Sequence, residues 1–127
     1  MKIQVIACDK SGYPAIIKYI SSYPSDHEFT CITKVPCLGG VKESDLFEIL
    51  ESDCDRLLLV GCPLDSCHNL EGSRFAQRRV LKVNRLLEEA DIPKMIHLSF
   101  VTVDKIAELK RTLDMIQPTP VHEEPKK

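Results

Sequence analysis

The stretch Arg56-Leu57-Leu58-Leu59-Val60-Gly61-Cys62 decides the fold. Its apolar residues form a continuous run rather than an alternating one. A strand that is apolar on both sides has helices covering both faces, which is the position of a central strand in a parallel sheet. Working outward, Lys2 to Ala7 reads as a second strand that stops at Cys8. Glu28 to Val35 is rich in aromatic and β-branched residues and is ended by Pro36, just before Cys37. Lys94 to Phe100 is a short further strand.

Helical patterns fill the gaps. The turn Ser11-Gly12-Tyr13-Pro14 feeds a helix from about Pro14 to Ser22, with Ala15, Ile16, Tyr19 and Ile20 at helical spacing. A helix near Glu43 to Glu51 is expected to be capped by Ser44 or a neighbour. A long helix is expected from about Leu70 to Glu89, and a last one from Val103 to Ile116. Strand and helix alternate four times along the chain, and one mostly parallel sheet with helices on both faces satisfies that order. The expected fold is α/β: a single-domain three-layer sandwich with about four strands, Rossmann-like or flavodoxin-like.

At 127 residues the chain is one ordinary domain, large enough to bury a core without disulfide staples. A hydrophobic fraction of 43% and a net charge of −2 are those of a globular protein, with no whole-chain signature of a nucleic-acid binder. The N-terminus lacks the apolar region of a signal peptide, and no run approaches the ~18 apolar residues of a membrane span. A soluble, cytoplasmic protein with no membrane partner is expected. In that reducing compartment, six cysteines read as ligands, redox groups or buried small hydrophobes rather than as a disulfide framework. The functional domain is expected over residues 1–117. Residues 118–127, rich in proline and charge, are expected to form a flexible tail.

The cysteines sort by their place along the strands. Cys8, Cys37 and Cys62 each follow an apolar run, and Cys67 comes five residues after Cys62. Parallel strands bring these four to one edge of the sheet, where open α/β folds bind ligands. Cys31 and Cys54 lie about 20 and 25 Å from that edge at ~3.3 Å per strand residue, and are expected to be buried hydrophobes. Four convergent sulfurs point to a metal or iron–sulfur centre. Structural zinc usually draws on two local cysteine pairs, whereas only Cys62 and Cys67 are local here. Ligands spread over three strand ends fit a 2Fe-2S cluster at least as well, and spacing leaves both metals open. The turn Leu38-Gly39-Gly40 and the helix N-termini could donate backbone N–H groups to sulfur.

The segment Gly61-Cys62-Pro63-Leu64-Asp65-Ser66-Cys67-His68 is followed by Glu71-Gly72-Ser73, Ala76, Arg78-Arg79 and Leu81-Lys82. This block resembles the delta subunit of methyl-viologen-reducing hydrogenase. Cys8, the Val35-Pro36-Cys37-Leu38-Gly39 turn and the order of elements extend the resemblance to all but the tail. It implies a small electron-transfer subunit with one 2Fe-2S cluster. Its partners would be a hydrogenase or formate dehydrogenase subunit and the flavin-containing subunit of a heterodisulfide reductase-type, electron-bifurcating complex. Carried over by position, the ligands would be Cys8, Cys37, Cys62 and Cys67. Family members often have a second cysteine three residues after the first; this chain has Ser11 there.

Such a relay needs no general acid, base or nucleophile, so no catalytic residue is expected. A phosphatase-like cysteine site would require an arginine about six residues after the cysteine, but Cys62 is followed at that offset by His68 and Cys8 by Pro14. No Cys-x-x-Cys pair, Gly-x-Gly-x-x-Gly motif or phosphate loop occurs. His68 reads as a hydrogen-bonding neighbour of Cys67, and Asp65 as a turn residue. Arg74, Arg78, Lys82 and Arg85 share one side of the long helix, either as a solvated face or as a docking surface for an acidic partner. The alternative to the relay is a zinc-stabilised adaptor that serves assembly without redox activity.

Overall fold

The computed structural model describes residues 2–23, 28–51, 56–63 and 72–116. In chain order these form β1 (Lys2–Cys8), α1 (Gly12–Ser22), β2 (Glu28–Val35), α2 (Glu43–Leu50), β3 (Arg56–Gly61), α3 (Gly72–Glu89), β4 (Met95–Phe100) and α4 (Ile106–Asp114). Short 3-10 turns, Leu38–Gly40 and Val103–Lys105, precede α2 and α4. The four strands make one sheet in the order β2-β1-β3-β4, and every neighbouring pair is parallel. The fold is a three-layer α/β sandwich whose strand order matches the first four positions of the flavodoxin-like arrangement.

The continuous apolar run of β3 follows from this topology. Leu57 and Leu59 face a core built with Leu46 and Leu50 of α2 and Val80, Val83 and Leu87 of α3. Leu58 and Val60 face the opposite core, with Ala15, Ile16 and Tyr19 of α1 and Leu109 and Leu113 of α4. All four are at most 1% exposed. Each such side chain contributes roughly 1.5–3 kcal/mol through its burial, so the central strands are the most strongly fixed part of the sheet.

Several local expectations are revised. Helix α1 starts at Gly12 rather than Pro14, which puts Pro14 in the first turn, where an N–H would have no helical acceptor. Lys42, not Ser44, caps α2, and its backbone N–H is accepted by the Asp45 carboxylate at 3.0 Å. The last helix opens as a 3-10 turn over Val103–Lys105. Cys31, expected to be buried, is exposed. Strand β2 lies at the sheet edge, and a register shift between Ile3 and Gln4 leaves Thr30 as an extra residue in it. The helices on the side that Cys31 faces, α2 and α3, pack over β3 and β4 instead. Cys54 and the 118–127 tail lie outside the described residues. Among the described residues no helix is long and apolar enough to cross a membrane.

Candidate metal centre

From β1 the chain steps to β2 on one side, whereas β3 and β4 lie on the other. The strand order therefore reverses between β1 and β3, and the crevice at their carboxyl ends is where open α/β sheets bind ligands. Cys8 is the last residue of β1, and Cys62 directly follows β3. Their sulfurs stand 3.6 Å apart, and the two residues are 3% and 4% exposed. A disulfide would need about 2.05 Å. Two thiolates on one tetrahedral ion, with metal–sulfur bonds of ~2.3 Å, sit about 3.8 Å apart. The spacing of the two sulfurs is thus close to that of two thiolates sharing one metal ion, zinc or the iron of a cluster.

The turn after β1 holds Cys8 in place. The Gly12 backbone N–H, at the start of α1, donates to Cys8 Sγ at 3.2 Å, and the helix N-terminus further favours a negative sulfur. Here the turn passes close against β3: a Cβ on Gly12 would lie 2.0 Å from the Val60 carbonyl oxygen. Ser11 is buried, and its hydroxyl donates to the Val101 carbonyl at 2.7 Å. The Val101 N–H in turn donates to the Gly61 carbonyl at 2.9 Å. Ser11 thus ties the β1–α1 turn to the segment leaving β4.

Cys37 lies at the same edge, beyond β2. The Gly39 N–H donates to its Sγ at 3.3 Å, and the Gly40 N–H to its carbonyl at 3.1 Å. Leu38 anchors the turn in the core that also contains Cys8 and Cys62. Arg79 of α3 donates through Nη1 to the carbonyls of Gly39 and Val41, the latter at 3.1 Å. Sequence reasoning assigned Arg79 no role. The available signal was its position at the margin of the apolar stripe Ala76, Val80, Val83 and Leu87, whereas Arg78 points outward.

The structure brings Cys8 and Cys62 into contact and leaves Cys37 as a half-buried neighbour. Among the described residues no group of three His, Cys, Asp or Glu side chains converges as a ligand set. Cys67, Asp65 and His68 lie outside the described residues. Of the basic face expected on α3, Arg74, Arg78 and Arg85 are exposed. Lys82 is exposed as well and pairs with Glu43 of α2 at 3.3 Å.

The family model for the methyl-viologen-reducing hydrogenase delta subunit matches residues 3–118. The chain is also 32% identical over 106 residues to an iron-sulfur subunit of the F420-non-reducing hydrogenase of Archaeoglobus profundus, an alignment spanning 79% of this chain and 74% of that protein. The matched residues run from the first strand past the last helix and include all the strand-end cysteines, so the chain belongs to the methyl-viologen-reducing hydrogenase delta subunit family.

Proposed function

We propose that this protein is the electron-transfer subunit of a cytoplasmic hydrogenase-type complex and that Cys8, Cys37, Cys62 and Cys67 hold a 2Fe-2S cluster. In this reading residues 1–117 are the cluster domain. The subunit relays electrons between a hydrogenase or formate dehydrogenase and the flavin-containing subunit of a heterodisulfide reductase-type bifurcating complex. The observation that carries the reading is the pair of buried sulfurs, Cys8 and Cys62, 3.6 Å apart at the strand-order reversal. The iron–sulfur subunit named among its relatives supports it.

The cluster, when bound, supplies one-electron redox chemistry. The chain's own groups set the conditions for it. The Gly12 and Gly39 N–H groups donate to thiolate sulfur and favour added negative charge there. Burial of Cys8 and Cys62 excludes water from their side of the site. Ser11 and Arg79 act through the backbone, fixing the turn that follows Cys8 and the turn that carries Cys37.

The test is anaerobic purification followed by visible absorption and electron paramagnetic resonance before and after dithionite, with iron, sulfide and zinc assayed on the same sample. The expected result is two irons and two sulfides per chain and a signal that appears on reduction. Cys62→Ala and Cys67→Ala should lose that signal, and Cys31→Ala should keep it. Stoichiometric zinc without iron, in protein never exposed to air, would overturn the relay and leave the zinc-stabilised adaptor.

A further inference from the structure

The charge of this chain is unevenly spread. Its net charge is −2, yet Gly72–Glu89 carries five arginine and lysine residues against two glutamates. At 100° per residue, Arg78 and Arg85 fall opposite the buried stripe of Ala76, Val80, Val83 and Leu87, with Arg74 beside them. Among the described residues Arg74 and Arg85 form no ion pair. Large apolar side chains share this outward face: Phe75 is 45% exposed and Leu81 59%. The Arg78 guanidinium lies over the Phe75 ring at 5.0 Å.

The face continues into a groove. Leu81, Asn84 and Arg85 line one wall of a cavity of about 570 Å³ whose other wall is Ile92, Pro93 and Met95. Ile92 and Met95 are both more than two-fifths exposed. Glu88 is the one carboxylate among the described lining residues. Beside the groove lies β4, which among the described residues is the last strand of the sheet, with no strand neighbour on its outer side. An apolar floor with arginines above it combines the two features enriched in protein interfaces, and the exposed positive charge of the arginines favours an acidic partner.

We propose that the outer face of α3 and this groove form a docking surface for an acidic amphipathic helix of a partner subunit. The apolar residues of that helix fill the groove against Leu81, Ile92 and Met95, and its carboxylates pair with Arg74, Arg78 and Arg85. The surface runs along an 18-residue helix, about 27 Å at 1.5 Å per residue, from the carboxyl edge of the sheet to the opposite edge. One bound helix would thereby fix the partner in register with the cysteine edge without covering it. The inference rests on the chain's being a subunit of a complex, and it does not depend on which metal the cysteines hold.

The experiment uses the complex recovered anaerobically from its native cells through a tag on this chain, with a photo-reactive residue at position 81. The expected crosslink is to a segment of another subunit that combines carboxylates with apolar residues at helical spacing. The double variant Arg78→Glu/Arg85→Glu, and separately Leu81→Asp, should lower the co-purifying yield of that subunit at least tenfold. The iron or zinc content and visible spectrum of the isolated variants should be unchanged, because none of these side chains is buried. A crosslink to a second copy of this chain, to lipid, or to a basic or wholly polar segment overturns the proposal. So does a co-purifying yield within twofold of the parent. Zinc in place of iron, with docking intact, would instead count against the relay alone.

Discussion

The substitution Gly12→Ala tests the geometry of the site most directly. A methyl group on Gly12 would meet the Val60 oxygen at 2.0 Å and its carbonyl carbon at 2.6 Å, whereas real Cβ atoms essentially never come closer than 3.0 Å. Neither neighbour is the end of a flexible side chain; both are backbone of the central strand. The first turn of α1 must therefore move away from β3 by about 1 Å. Overpacking of this kind costs roughly 1–3 kcal/mol, and loss of the Gly12 N–H bond to Cys8 adds about 1 kcal/mol. With an unfolding entropy of about 2 cal/mol/K per residue, a total near 3 kcal/mol lowers Tm by roughly 12 °C. The assay is thermal unfolding of metal-free protein by circular dichroism, together with metal content after anaerobic loading. Metal content should fall with stability, because the displaced turn withdraws the Gly12 N–H from Cys8 Sγ. Gly40→Ala is the control: a Cβ there meets nothing within 4 Å, and no glycine among the described residues has a positive φ. Gly40→Ala should change stability by no more than about 0.5 kcal/mol. If Gly12→Ala melts within 3 °C of the parent, or if Gly40→Ala costs as much, the close approach of Gly12 to Val60 does not fix the turn beside Cys8.

Two further predictions concern residues around the site and core. Arg79→Leu removes both donors to the Gly39 and Val41 carbonyls, a loss of about 2–3 kcal/mol given charge-assisted bonds. In metal-free protein Cys37 should then alkylate several-fold faster while Cys8 and Cys62 stay protected. Unchanged Cys37 reactivity would mean that the turn does not depend on Arg79. His97 Nε2 is buried and has no hydrogen-bond partner among the described residues. Burial first, and the neighbouring Arg56 charge second, hold its pKa below the usual histidine value. The unfolded chain binds this proton more readily, so the His97 contribution to stability is complete above about pH 6.5 and is lost as pH falls toward and through the lower folded value. Urea midpoints measured between pH 7.5 and 5 should fall more steeply for the parent than for His97→Phe; parallel curves would refute the assignment.

The two central strand ends bring the buried sulfurs of Cys8 and Cys62 together, and the turns nearby donate backbone N–H groups to the sulfurs of Cys8 and Cys37. Of the sulfur ligands expected, Cys8 and Cys62 belong to strands fixed by burial on both faces, so their positions follow from the core. Cys37 belongs to a turn beyond the edge strand, held by Arg79 and Leu38. Residues with long-range backbone partners, Ser11 and Arg79 among them, thus control the parts of the site that the sheet itself does not fix.

The amino-acid sequence by itself determined the alternation of strands and helices, because apolar periodicity and punctuation by glycine and proline act over neighbouring residues. It also determined that Cys8, Cys37 and Cys62 end strands, and hence that they lie toward one edge of a parallel sheet. The continuous run at β3 carried the central placement, since only a strand buried on both faces can be apolar at successive positions. Only the tertiary structure decided that the chain reverses its strand order between β1 and β3, which selects Cys8 and Cys62 as the contacting pair. It also decided that Cys31 is exposed, because the reach of a helix over an edge strand depends on packing between elements distant in sequence. The partners of Ser11 and Arg79 were hidden for the same reason: their acceptors lie 90 and 40 residues away, and only the closed fold brings a side chain to a carbonyl at that separation.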